Sequence, residues 1–237
     1  MTGSGVVADI LTVEETSSTN DDVAALAREG APEGLWLRAE RQTGGRGRQG
    51  RDWHSPPGNL YASTLVRLRS SDPPAATLAL VAAVALQEVI SAYVPVHQVL
   101  IKWPNDLLVE GEKLSGILLE RSDEAVVIGI GVNLASLPEA LDRPATSLAK
   151  LVGTAPHPET FLEILADSFA RWLGRWRGEG LTPVRARWLA AAHPIGTALA
   201  TSAGEGLFDG LDETGALRLR LAGGTYQVIH AGDVFLI

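Results

Sequence analysis

The chain has 237 residues, 46% of them hydrophobic, a formal net charge of −8 and no cysteine. That length and apolar share suit one large domain, or one with a small appendage, around a sizeable core. The composition excludes disulfides, thiolate nucleophiles and cysteine-ligated zinc, and the acidic balance argues against general nucleic-acid affinity.

At the N-terminus MTGSGVVADILTVEE shows no basic-then-apolar leader, so a cytoplasmic protein is expected. TSSTNDDVAALAREG (16–30) carries capping residues, early acids, a small apolar stripe and a terminal glycine, which predicts a short helix. GLWLRAE (34–40) and NLYASTLVRL (59–68) read as strands entering and leaving a glycine-rich loop. DPPAATLALVAAVALQEVISAY predicts a buried helix opened by prolines; its apolar run is far short of the roughly 20 residues of a membrane span. VLIKW and DLLVEGEKLSGILLE read as strands, the second stretch folding around a Glu-Gly-Glu turn. AVVIGIGVNL (125–134) is apolar enough for a central strand. PETFLEILADSFARWLGRW (158–176) predicts an amphipathic helix with Phe161, Leu165, Phe169, Trp172 and Trp176 on one face. From about His193 the chain turns Gly-rich and strand-like, which predicts a small β-barrel and a boundary near 190, dividing the chain into 1–189 and 190–237.

RQTGGRGRQGR (41–51) gathers four arginines and four glycines. Glycines let backbone approach a ligand, successive N–H groups form an anion nest, and arginines add bidentate bonds to carboxylate or phosphate. The stretch reads as a loop that wraps an anion, as a solvated, flexible basic loop, or as the RNA-binding tail of a non-enzymatic protein. It matches neither the phosphate-loop pattern nor the strand–GxGxxG–helix setting of a dinucleotide site. Trp53, just beyond, can stack on a flat base or sit in the core. In KWPND (102–106), Asp106 can ligate Mg²⁺ and Asn105 can bond a base or phosphate, although Pro-Asn-Asp also suits a plain turn. Lys113 stands beside a turn in EKLSG, and Asn133 ends an apolar strand, where its amide needs partners. The hydroxyls of TSSTN suit capping or a ligand.

SSTN (17–20), RQTGGRGRQGRDW (41–53), KWPNDLL (102–108), KLSGILLE (113–120) and GIGVNL (129–134), in that order, resemble the biotin protein ligase family, in a form without an N-terminal helix-turn-helix. The resemblance implies an α+β fold: a mixed or antiparallel sheet flanked by helices, as in class II synthetases, followed by a C-terminal SH3-like barrel. It implies an enzyme that uses Mg·ATP to convert biotin to biotinyl-5′-AMP, then passes biotin to one lysine of a biotin carboxyl carrier domain. It also implies roles by position. Ser18, Thr19, Asn20, Gln42, Tyr61 and Gly116 meet biotin. Arg46, with the backbone of Gly45 and Gly47, meets its carboxylate. Arg48 and Arg51 close over the adenylate phosphate, and Trp53 packs on adenine. Lys113 bridges the reacting groups, Asn105 and Asn133 contact the nucleotide, and Asp106 stands nearest the metal. With Arg46 and Arg48, Lys113 completes the implied catalytic set. No DNA or membrane partner is expected, and a homodimer through an edge strand stays open. A lipoate or octanoyl transferase of the same fold would accept a linear acyl chain and is expected to lack the arginine loop.

Overall fold

The computed structural model describes residues 9–137 and 144–237; residues 1–8, part of the N-terminal stretch read above, lie outside them. Seven strands form the main sheet: β1 (Ile10–Thr16), β2 (Trp36–Gln42), β3 (Leu60–Arg67), β4 (Val99–Lys102), β5 (Asp106–Val109), β6 (Glu112–Ser122) and β7 (Ala125–Val132). Their order is β1-β2-β3-β7-β6-β5-β4, so the most apolar stretch, β7, occupies the middle place. Only β1 and β2 run parallel, joined by the crossover helix α1 (Thr19–Arg28); the other pairs are antiparallel.

The two faces of this sheet differ. On one, Leu60, Ala62, Ile128, Ile130, Val132 and Ile117 join a large core with α2 (Leu78–Ile90) and α4 (Pro158–Glu179). Helix α2 is buried nearly all round, as its unbroken apolar run requires. Helix α4 buries Phe161, Leu165, Phe169, Trp172 and Trp176, the face expected from its spacing. On the other face, Val23 and Ala27 of α1 pack on Leu37, Leu65 and Val127 and cover only one end of the sheet. The rest of that face carries the site.

Three elements were not read in the sequence: β1, the short helix α3 (Leu148–Val152), and α5 (Leu181–Ala190), which follows α4 after a positive-φ Gly180. Strand β1 is largely exposed, with no clean alternation; α5 buries only Val184 and Trp188. Neither has a periodic signal.

Beyond α5, β8 (Ala198–Thr201), β9 (Gly204–Leu211), β10 (Leu217–Arg220), β11 (Tyr226–Ile229) and β12 (Val234–Leu236) form an antiparallel sheet ordered β11-β10-β9-β8-β12. Its inner residues Leu199, Phe208, Leu217 and Val234 belong to the same core as α2 and α4. Trp103 Nε1 donates to the Gly215 carbonyl at 3.3 Å, fixing this sheet to the β4 side of the first, and Ile101 N donates to Ala191 O at 2.8 Å at the end of α5. Among the described residues, no helix is long and apolar enough to cross a membrane.

Candidate active site

Residues directly opposite in antiparallel strands share a face. Tyr61 of β3 faces Gly131 of β7, Gly131 faces Gly116 of β6, and Gly116 faces Asp106 of β5. One step along, Ser63 faces Gly129 and Gly129 faces Leu118. Three glycines therefore leave a trough in the uncovered face. A β-carbon on Gly129 would stand 2.3 Å from Asn20 Oδ1, and one on Gly131 would stand 2.5 Å from Trp53 Cε2. The trough is already used by these two side chains, and only glycine leaves them room. The cavity over it has a volume of about 480 Å³, within the usual range of small-molecule sites.

One end is polar and closed by α1. Gln42 Oε1 accepts from Thr19 N at 2.9 Å and from Thr19 Oγ1 at 3.1 Å. The Thr19 and Ser63 hydroxyls are 2.7 Å apart, Ser63 Oγ donates to Asn20 Oδ1 at 2.6 Å, and Asn20 Nδ2 donates to Glu120 Oε2 at 2.7 Å. Ser18 sits at the N-cap of α1, yet its side chain makes no capping bond; it lines the cavity instead. Tyr61 is buried and donates to Pro56 O at 2.6 Å, and its burial pushes the phenol pKa up. It stays neutral and holds the loop after Trp53 over the cavity.

The other end is cationic. Arg48, Arg51, Lys102 and Lys113 line it, with Asn105 and Asp106. Simple alternation along β6 would turn Lys113 away from Gly116. The register slips between Leu107 and Leu108, where one step on β5 spans two on β6. This bulge returns Lys113 to the cavity face, as bulges commonly re-aim side chains at sites. Its ammonium lies 2.7 Å from Asp106 Oδ1 and 5.5 Å from the centre of a Trp53 ring. Trp53 Nε1 is buried and donates no hydrogen bond among the described residues, whereas the buried Asp106 Oδ1 has the Lys113 ammonium as its partner. Buried polar atoms are normally satisfied, so the Trp53 Nε1 donor points to a ligand.

The glycine loop between the two ends is braced locally. Trp53 N donates to Gly45 O at 2.9 Å, Gly47 N to Arg51 O at 2.6 Å, and Gly44 N to Ser17 O at 2.8 Å. A β-carbon on Gly45 would lie 2.6 Å from Trp53 O, so Gly45 serves the loop's own packing.

The structure brings together most of the residues singled out: Ser18, Thr19, Asn20, Gln42, Arg46, Gly47, Arg48, Arg51, Trp53, Tyr61, Asn105, Asp106, Lys113 and Gly116 all line one cavity. Gly45 and Asn133 do not. Asn133 is buried, with its Nδ2 donating to Thr146 O at 3.2 Å, and it braces the chain after β7. Arg46 lines the cavity, but its guanidinium forks onto Asp21 of α1 at 2.6 and 2.7 Å, with Glu120 at 3.5 Å. That bond holds the Asp21 carboxyl below its ordinary range. Lining residues that went unread include Lys102, Gly129, Gly131 and Asp233, and Ser63, bonded behind Thr19 and Asn20, went unread too. The alternating GIG of β7 was a usable sign for the two glycines; Ser63 and Asp233 carried none.

A trough with a hydrogen-bonding head and an arginine-rich far end defines a protein that encloses a small molecule with an anionic tail. Residues 13–133 match the biotin/lipoate A/B protein ligase family, and residues 200–237 match the biotin protein ligase C-terminal domain. A biotin–[acetyl-CoA-carboxylase] ligase of Paracoccus denitrificans is 41% identical, covering 93% of this chain and 97% of the relative. One of Mycobacterium tuberculosis is 35% identical, covering 94% and 86%. The biotin protein ligase of Aquifex aeolicus in complex with biotin and ATP superposes with a TM-score of 0.84 at 26% identity, over 97% of this chain and 98% of that one. The chain belongs to the biotin/lipoate A/B protein ligase family.

Proposed function

We propose that the chain is a biotin protein ligase acting in the cytoplasm on a biotin carboxyl carrier domain. The observation that carries this is the single cavity joining a donor-and-acceptor head to a cationic end. Thr19, Asn20 and Gln42, braced from behind by Ser63, suit the ureido ring of biotin, which both donates and accepts hydrogen bonds. The valerate carboxylate then lies toward Lys113, Arg48 and Arg51.

In the first step a biotin carboxylate oxygen attacks the α-phosphorus of ATP, and the bond to pyrophosphate breaks. Two unit charges 4 Å apart repel by about 4 kcal/mol at an effective dielectric near 20. Lys113, Arg48 and Arg51 offset this, and they bind charge that develops only in displacement. In the second step a carrier lysine amine attacks the acyl carbon and AMP leaves.

Asp106 would hold Mg²⁺. Its carboxylate lines the cationic end of the cavity, with the Lys113 ammonium 2.7 Å from Oδ1; one carboxylate plus phosphates is a common Mg²⁺ set. When bound, the metal neutralises phosphate charge. Trp53 offers the adenine a flat face, and Arg46 holds the loop onto α1. Residues 1–189 form the catalytic part and 190–237 an appended barrel. The reading includes no DNA or membrane partner and leaves a homodimer open.

The test is mass spectrometry of a carrier domain incubated with biotin, Mg·ATP and this protein. One lysine should gain one biotinyl group, and a thermal shift should appear with biotin plus ATP and not with lipoate plus ATP. An unmodified carrier, or an equal response to lipoate, would contradict the reading.

A further inference from the structure

The cationic end of the cavity is not built by the main sheet and glycine loop alone. Asp233 precedes β12 in the C-terminal sheet and lines the cavity. Its Oδ1 accepts from Arg51 Nη2 at 3.1 Å, and its Oδ2 is ion-paired with Arg51 Nη1 at 3.0 Å. Arg48 Nη1 lies 3.6 Å from the same Oδ1, and Arg48 Nη2 donates to Gly232 O at 3.1 Å. Gly232 has φ of 138°, a conformation suited to glycine, and so its carbonyl can face Arg48. Arg51 Nε in turn donates to Arg48 O at 3.1 Å, tying the two arginines together.

We infer that Asp233 is a positioning residue for the nucleotide step, by which the C-terminal sheet holds Arg48 and Arg51 in the orientation that receives phosphate. The inference rests on the ligase reading above and extends it to a residue 182 positions from Arg51.

Three features separate this contact from an ordinary surface ion pair. The Asp233 and Arg48 side chains are 19% and 22% exposed, against 45% for Arg51, so the Arg48 side of the trio is less screened than a solvated pair. Its turn is firmly placed, because Val234 next to it is buried in the main core and pairs with Thr201 of β8. One carboxylate also cannot neutralise two guanidiniums, so the trio keeps a positive charge for an incoming anion. A free arginine side chain samples many rotamers and loses that freedom when it binds an anion. Holding both in place before ATP arrives removes much of that loss from binding, which is how preorganisation raises affinity. A competing, autoinhibitory role would have the opposite sign: the carboxylate would have to leave for ATP to enter.

The experiment compares the full chain with Asp233→Asn, Asp233→Ala and Asp233→Glu. Pyrophosphate release gives kcat and the KM for ATP, and calorimetry gives biotin affinity without nucleotide. The Asn and Ala variants should raise the KM for ATP about tenfold, each tenfold being one step of about 1.4 kcal/mol. Their kcat should stay within about threefold, biotin affinity within about twofold, and Asp233→Glu should recover most of the loss, since the charge is kept. Combining Asp233→Ala with Arg51→Lys should cost less than the two effects added, because they share one contact. An unchanged or lowered KM for ATP in Asp233→Asn would overturn the inference, as would an equal loss of biotin affinity, which would mark a general structural defect. Should the parent protein itself release no pyrophosphate, the ligase reading fails instead.

Discussion

Replacing Gly131 by alanine tests how the trough works. The added methyl would lie 2.5, 2.6 and 2.8 Å from Trp53 Cε2, Cζ2 and Nε1. Carbon atoms settle at about 3.5–4.0 Å, so roughly 1 Å of separation must be found. Strand β7 cannot supply it, being hydrogen-bonded on both sides with Ile130 and Val132 in the core. The indole must move, away from Gly116 and from the Lys113 ammonium that stands near it. Misplacing site groups by 1 Å can cost about 100-fold in rate. Adenylate formation should therefore fall roughly 10- to 100-fold, about 1.4–2.8 kcal/mol. Gly131 has no positive φ, so alanine adds bulk without backbone strain, and the melting temperature should change little. Gly174→Ala, where a methyl meets nothing within 4 Å, is the control. In a Trp53→Ala background the Gly131→Ala effect should largely vanish. A Gly131→Ala protein that makes biotinyl-AMP at the parental rate would refute the steric argument, and so would an undiminished effect without Trp53.

Lys113→Ala should cut pyrophosphate release by about 100-fold or more, on the scale of a lost oxyanion donor, while circular dichroism stays native because the side chain faces the cavity. Arg48→Gly should let the adenylate escape some tens- to several-hundred-fold faster, matching about 2–4 kcal/mol of lost charge-assisted bonding; bystander albumin should then become biotinylated, and unlabelled albumin beside continued adenylate synthesis would count against a retention role. Glu33 accepts from Arg177 at 2.6 and 2.8 Å, tying the loop after α1 to α4, and Arg177's bonds hold its carboxyl below the ordinary 4.5. Glu33→Gln should destabilise by about 1.5 kcal/mol at neutral pH, the low end because Asp72 still holds Arg177. A lowered folded pKa contributes stability above the ordinary value and loses it as pH falls through the folded value, so denaturant melts of parent and variant should differ at pH 7 and converge well below pH 4.5.

Much of this molecule follows from local sequence. Helices α1, α2 and α4 announce themselves through caps, apolar runs and a 3.6-residue stripe, because helix formation depends on neighbours within a turn or two. Strand β7 is long and apolar, and hydrophobic content alone sends such a strand to the middle of a sheet. The arginine–glycine loop was legible in part, since four glycines and four arginines in eleven residues suit either an anion-wrapping loop or a solvated basic one, and the fold sets Arg46, Arg48 and Arg51 on the cavity. Even the trough left a trace, as Gly129 and Gly131 alternate with a strand's period.

Contacts across the chain decided the rest. Lys113 reaches the cavity only because a bulge shifts its register against β5, and a bulge depends on the partner strand. Arg46 turns to Asp21, 25 residues earlier, since α1 crosses over the sheet beside the loop. Asn133 braces a turn because Thr146 O lies within its reach. Asp233 meets Arg48 and Arg51 only once the C-terminal sheet has docked against β4. An isolated Gly-Asp before a short strand carries no pattern of its own; its electrostatic partners are chosen by packing, and packing is a property of the whole fold.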